Sequence, residues 1–219
     1  MIRILLNRMS DTSNLRVRRE APMKPLLVCL LLLAAITLSA ADAKRYEVKT
    51  AIIKKEIVAM GMKLAATTYF DDYGKNEAAE ITIKDGITTG VDKHTRTIMT
   101  DSTVLNIDLD LKVATKIPLP QKPVNYLALT PEIMEQFKMK EAGESEIAGK
   151  PCKKYTLEMT QMGQKITITT HVWRGISLKT ETVANGMTVA TETATEIQED
   201  ASVSSEKFVL PEGTVIKSL

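Results

Sequence analysis

Few side chains in this sequence are of types that do chemistry, and their spacing leads away from catalysis. The chain has two histidines, His94 and His171, and two cysteines, Cys29 and Cys152. His94 lies in the polar run Asp92-Lys93-His94-Thr95-Arg96. His171 alternates with Thr167 and Thr169 on what reads as the outward face of a strand. Neither has a second histidine at zinc-ligand spacing, so each reads as solvated. Asp108 and Asp110, with Asn106, fall on one side of an alternating segment. Three oxygens can begin a calcium site, which takes roughly six to eight; no further ligands are evident, and the wet face of a strand, beside Lys112, is the reading that fits them better. No nucleophile elbow, phosphate-cradling glycine loop or dinucleotide fingerprint is present. The sequence therefore predicts no catalytic residue, no metal ligand and no cofactor. A hydrolase is the weakest reading, and His171 with Cys152 is the pair to check for it.

The start of the chain is an address. Lys24 is followed by an apolar run from Leu26 to Leu38, then Ser39-Ala40-Ala41-Asp42-Ala43, the order of a secretory signal with cleavage after Ala41 or Ala43. The run is 13 residues long, against roughly 20 for a bilayer-spanning helix. Residues 1–22 fit that signal poorly, and translation starting at Met23 explains them as an N-terminal extension. Cys29 follows Val28 inside the apolar run, unlike a lipidation site. Residues 44–219 are then a single exported domain, with the periplasm as its expected compartment, carrying 23 basic and 24 acidic side chains. Near neutrality gives no footing for nucleic acid, and the mature chain is expected to contain no transmembrane span. Cys152 is left without an intramolecular partner and reads as a small buried hydrophobe.

Strands dominate the elements that would position these residues. Leu105, Ile107, Leu109, Leu111 and Val113 alternate with polar residues, which predicts one strand over 105–113. Segments 46–60, 63–70, 77–83 and 91–99 also read as strands, the first with a bulge near Ile52 and Ile53. The second half reads as a meander over 154–160, 165–173, 176–183 and 187–197. Its turns are Met162-Gly163, Arg174-Gly175 and Asn185-Gly186, the last suited to a type I′ hairpin. Between the halves lies a proline-marked connection, residues 118–129, and one short helix. Thr130 caps it, Pro131 and Glu132 suit its first turn, and Gly143 is the expected stop. Ile133, Met134 and Phe137 share its apolar face.

Three stretches carry a resemblance. Glu146-Ile147-Ala148-Gly149-Lys150-Pro151-Cys152-Lys153-Lys154-Tyr155, then 172–181 (Val-Trp-Arg-Gly-Ile-Ser-Leu-Lys-Thr-Glu) and 208–216 (Phe-Val-Leu-Pro-Glu-Gly-Thr-Val-Ile) resemble an exported family of unassigned function from Gram-negative, Bacteroidetes-like bacteria. That family is similar in layout to the periplasmic lipoprotein carriers of the LolA/LolB-like superfamily. The resemblance implies a mainly β fold: a curled antiparallel sheet or incomplete β-barrel, with short helices closing its mouth. It also implies a binding role for a lipid or other apolar or amphipathic ligand, with Ile133, Met134 and Phe137 as lid; the same residues would otherwise plug the core. Trp173 and Arg174 are further candidate ligand contacts, or else strand-end packing and a solvated turn. The alternative function is an envelope interaction or assembly protein with a filled core and a protein partner. The state of the sheet interior discriminates the two.

Overall fold

The computed structural model describes residues 44–84, 92–100, 102–119, 123–161 and 163–218. The segment expected to be a signal peptide (23–43), residues 1–22, the expected Asp85-Gly86 turn and Met162 lie outside the described residues.

The structure is a curled, open β-sheet. A first meander comprises β1 (Ala51–Ala59), β2 (Met62–Asp71), β3 (Asn76–Ile83), β4 (Lys93–Met99), β5 (Thr103–Asp108) and β6 (Val113–Pro118). A connection with a 3-10 turn (Tyr126–Ala128) and helix α1 (Pro131–Gln136) leads to the second meander. That one comprises β7 (Met139–Ile147), β8 (Lys150–Gln161), β9 (Gln164–Trp173), β10 (Ile176–Ala184) and β11 (Met187–Glu199). Antiparallel pairing of β1 with β11 fuses the meanders, and β12 (Val215–Ser218) adds in parallel beside β6. The order is β12-β6-β5-β4-β3-β2-β1-β11-β10-β9-β8-β7 in one twelve-stranded sheet, leaving β12 and β7 as edges.

Register assigns the faces. Ala51 opposes Phe70, Phe70 opposes Glu77 and Glu77 opposes Met99, so these four share the inner face. By parity Ile53, Lys55, Ile57 and Ala59 lie on that face as well. The outer face of the first meander carries Ala78, Ile98, Ile107 and Ala114, a second buried cluster. The C-terminal segment covers it with Phe208 and Leu210, so the sheet is buried on both sides there.

Three expectations are corrected. Residues 105–113 are not one strand, because the chain turns between β5 and β6. The Asp108 carboxylate accepts from the backbone N–H groups of Asp110 (3.1 Å) and Leu111 (2.8 Å), and Lys112 sits at φ 53°. An aspartate that can satisfy two amides locally competes with the ladder and wins. Leu111 is thereby exposed, and Asp110 leaves the line of oxygens to contact His94 (3.1 Å). The helix, capped by Thr130 as expected, does not run on to Gly143. Lys138 takes φ 53°, and Gly143 lies inside β7 at a register shift. Nor does β1 carry the bulge expected near Ile52 and Ile53: it pairs with β2 in unbroken register, and the shift opposite Lys54 and Lys55 comes from an extra residue, Thr195, in β11.

Candidate functional site

The inner face holds a hollow of about 260 Å³. Its lining includes Thr97 and Met99 of β4 and Ile168 and Thr170 of β9. Six strand spacings separate β4 from β9, roughly 29 Å across a flat sheet, so only a strongly curled sheet brings both to one hollow. Pro123, Val124 and Tyr126 of the inter-meander connection complete it.

Apolar walls are supplied by Ile57, Ala66, Ala79, Ile81 and Ile168. Across them runs a polar stripe that follows from the register: Glu192 opposes Thr180, and Thr180 opposes Thr170. Lys55 sits diagonally beside Glu192 and donates to its Oε1 at 2.6 Å; the two side chains are 10% and 23% exposed. An ammonium carries three N–H donors, and one is used here. The stripe continues to Tyr155, which opposes Thr170 and stacks on Tyr126 with ring centroids 5.6 Å apart. Burial raises the phenol pKa of Tyr126, with Thr170 opposing the shift, so the hydroxyl remains a neutral donor. Ser177 and Thr180, also in the lining, are in mutual hydrogen-bond contact at 3.0 Å.

One end of the hollow is closed by the segment entering β1. Arg45 donates to Glu77 Oε2 (2.9 Å) and to the carbonyl of Gly74 (3.0 Å), while the Tyr46 hydroxyl donates to the same Glu77 oxygen (2.7 Å). Burial, with the Glu77 charge next, holds the Tyr46 phenol far above its ordinary pKa, so it too stays protonated. Gly175 lets this segment pass: at φ 83°, a Cβ there would lie 2.4 Å from the Arg45 carbonyl oxygen.

A second hollow, about 470 Å³, adjoins the first through Tyr126 and is lined by Cys152, Val172, Trp173 and Arg174 among others. Trp173 is buried, with Lys150 Nζ 4.7 Å and Arg174 Cζ 5.1 Å from its ring centroid. The Arg174 guanidinium already meets Glu199 (3.4 Å) and Glu47 (3.8 Å). Trp173 and Arg174 are thus together, whereas the other three candidates stand apart from both hollows. Met134 and Phe137 pack on the cluster of Met139, Tyr155, Leu157, Ile166, Ile168 and Val172. Ile133 is half-buried on the same helix.

Lys55, Glu192 and Tyr126 escaped sequence reasoning. Lys55 had a signal: in Ala51-Ile52-Ile53-Lys54-Lys55-Glu56-Ile57 it occupies an inward parity. Glu192 had none, because bulges in β10 and β11 reset the parity on that side.

Among the described residues no group of three or more His, Cys, Asp or Glu side chains could hold a metal. His171 Nδ1 lies 2.7 Å from Ser145 Oγ. Burial lowers the His171 pKa, helped by Lys179 and Lys154 and opposed by Glu181. Among the described residues no carboxylate is hydrogen-bonded to this ring. Cys152, buried, donates weakly to the Lys150 carbonyl (3.4 Å), and burial raises its thiol pKa.

No protein-family model matches the chain, and no curated protein does either. Among solved structures, an uncharacterized conserved protein from Thermus thermophilus is similar at TM-score 0.52 and 12% identity, over 79% of this chain and 92% of that chain. MucB of Pseudomonas aeruginosa, in complex with MucA, aligns more loosely: TM-score 0.45 at 12% identity, over 73% of this chain and 55% of that one. LprF from Mycobacterium bovis aligns at TM-score 0.35 and 11% identity, over 76% of this chain and 90% of that chain. This chain thus spans just over half the length of the MucB chain. The Thermus likeness shows a shared fold. Among the described residues no helix is long and apolar enough to cross a membrane.

Proposed function

We propose that this protein is a non-catalytic periplasmic binding protein for an amphipathic ligand, an acyl chain or lipid carrying a polar group. One observation carries the reading: the Lys55–Glu192 pair set in the apolar inner face, within a hollow lined from both arms of the sheet. A core built only for stability gains nothing from such a pair. Apolar residues of similar volume are commonly neutral or stabilising in its place. A pair with two spare N–H donors and a spare carboxylate oxygen is a ready partner for a ligand's polar group. The apolar walls suit its chain, and the stripe of Thr170, Thr180 and Glu192 fixes where the polar end stops. At about 260 Å³ the hollow lies near the lower range of ligand sites, about 300 Å³. It suits one slim chain better than a bulky lipid. The signal read in residues 23–43 supports the compartment. The Ser145–His171 contact, without a carboxylate to orient the ring, supports a binding role over hydrolysis.

Native mass spectrometry of the protein purified from the envelope tests the reading. The expected result is a bound amphiphile, absent from a Lys55→Met/Glu192→Met double variant. Bare protein that also fails to bind a fluorescent fatty-acid probe overturns it.

A further inference from the structure

Among the described residues, four charged side chains line the inner hollow, and they cancel: Arg45 and Lys55 are the cations, Glu77 and Glu192 the carboxylates. Arg45 is closed on Glu77 (2.9 Å), and the same Glu77 oxygen also accepts from Tyr46 (2.7 Å). Lys55 is closed on Glu192 (2.6 Å). The other titratable groups in the lining, Tyr46 and Tyr126, are phenols that burial keeps protonated. The adjoining hollow repeats the balance, with Lys153 and Arg174 against Glu47 and Glu144. A ligand therefore finds neither a surplus cation nor a surplus carboxylate.

That balance decides which polar group can enter. An anionic head drawn to the Lys55 ammonium comes within a few ångströms of the Glu192 carboxylate, which repels it about as strongly. A cationic head meets the mirror-image problem. Either is left with the uncompensated cost of taking a charge out of water. Prising Lys55 from Glu192 does not help, because it strands the displaced partner in the apolar face. An uncharged hydroxyl gives up far less on leaving water, and it both donates and accepts. It can accept from a spare N–H of Lys55 or donate to the second oxygen of Glu192. Both are charge-assisted bonds, made with the pair intact.

Thr68 points the same way independently. It is 7% exposed and lines the hollow, yet its hydroxyl has no hydrogen-bond partner among the described residues. The other hydroxyls of the lining are engaged: Ser177 with Thr180 (3.0 Å), Thr97 with Asn106 (3.0 Å) and Thr170 with Tyr126. A buried hydroxyl left open is destabilising, and a ligand group that meets it relieves that penalty. Register puts Thr68 near Lys55, which opposes Ala66, two residues away on the same face of β2. The diagonal is roughly 7–8 Å between Cβ atoms. A head with one hydroxyl meets one of these two residues; a head with two, as in a glycerol ester, meets both.

We propose that the hollow selects a single-chain amphiphile with an uncharged, hydroxyl-bearing head, a monoacylglycerol in preference to a free fatty acid or an alkylamine. This rests on the hollow being a ligand site and adds what the polar end must be.

Calorimetric titration of the exported protein with monodecanoylglycerol, decanoate and decylamine compares three heads on one chain. Each is kept below its micelle concentration, at about pH 8, where the acid is ionised and the amine protonated. The glycerol ester should bind at least about tenfold more tightly than either ion. In Glu192→Gln, which leaves Lys55 without its counter-charge, decanoate should gain at least about tenfold relative to the ester. Thr68→Val keeps the volume and removes the hydroxyl. It should weaken the ester about three- to tenfold and leave decanol, with its single hydroxyl, within about twofold. Melting transitions of both variants are measured alongside. Decanoate or decylamine binding the wild type as tightly as the ester overturns the proposal and leaves the ligand reading standing. So does a folded Thr68→Val variant that holds the ester unchanged. Binding of none of the three overturns both.

Discussion

Lys55 and Glu192 are the residues on which the binding face turns, and their coupling is measurable. Lys55→Met alone leaves a mostly buried carboxylate without its ammonium. It should lower stability by about 2 kcal/mol, short of the ~3–5 for a fully buried pair because Glu192 keeps some solvent contact. Adding Glu192→Met should restore most of that loss while ligand binding stays absent. Chemical denaturation of wild type, both single variants and the double variant reads the cycle. His171 offers a pH signature. Burial, with Lys179 and Lys154, holds its pKa below the ordinary 6.5, so the unfolded chain binds the proton more readily. Its contribution is present above pH 6.5 and lost as pH falls through the lower folded value. Melting temperature should decline over that window, and His171→Gln should flatten the decline. At this scale the sequence was half legible. Lys55 was readable from its inward parity among Ala51, Ile53 and Ile57. Glu192 was not, since nothing local records a bulge in two neighbouring strands, and the Ser145–His171 contact depends on an edge strand folding back.

The elements show why alternation alone misplaces a chain. Residues 105–113 keep period 2 throughout, yet Asp108 captures two backbone amides and the strand breaks into β5 and β6. Periodicity reports which residues can share a face; side-chain capture of the backbone decides where the face ends. Four strands of the second meander, β8 to β11, were legible because Gly175, Asn185 and Gly186 in their turns accept positive φ; β7 was not, since its first residues read as the helix running on to Gly143. Gly175 does more than turn. Its missing Cβ leaves room for the Arg45 carbonyl, and Glu47 N–H donates to the Arg174 carbonyl at 3.1 Å. Gly175→Ala should therefore displace the segment entering β1 and lower stability by more than about 1 kcal/mol, since φ and space are both violated. Thermal denaturation checks the size. Hydrogen exchange at Tyr46 and Glu47 checks the location, and unchanged protection there would contradict the account.

On the scale of the molecule, the curled sheet was legible from strand count and resemblance, but its covering was not. The C-terminal segment crosses the outer face and is held by one carboxylate. Glu80 accepts from Lys207 (2.9 Å to each oxygen), from Arg96 (2.7 Å) and from Tyr69 (3.1 Å). Burial alone would raise the Glu80 pKa; hydrogen bonds and charge from Lys207 and Arg96 outweigh it and hold the group below its usual 4.5. A depressed carboxylate stabilises the fold above its unfolded pKa and loses that contribution as pH falls through the folded value. Below about pH 4.5, protection of Phe208 and Leu210 amides should fall ahead of the core strands. In Lys207→Met the segment should already be loose at neutral pH, with a weaker acid response. No local pattern announced this network, because its members come from four separate stretches of chain.

The pairing of β1 with β11 also has a consequence while the chain emerges into its compartment. Residues 54 and 196, joined across that seam by a salt bridge, are separated by 142 positions. The first meander can assemble as the chain emerges N-terminus first, but β1 then waits as a bare edge until nearly the whole chain has followed. An edge reading Ala-Ile-Ile-Lys-Lys-Glu-Ile-Val-Ala invites pairing with another nascent copy. Its central Lys54-Lys55-Glu56 breaks what would otherwise be a continuous sticky strand, as gatekeeper charges do. Lys55 therefore protects the newborn chain before it ever meets Glu192. Replacing the pair with methionines should leave the finished fold intact yet raise aggregation on refolding at high concentration, which light scattering would record.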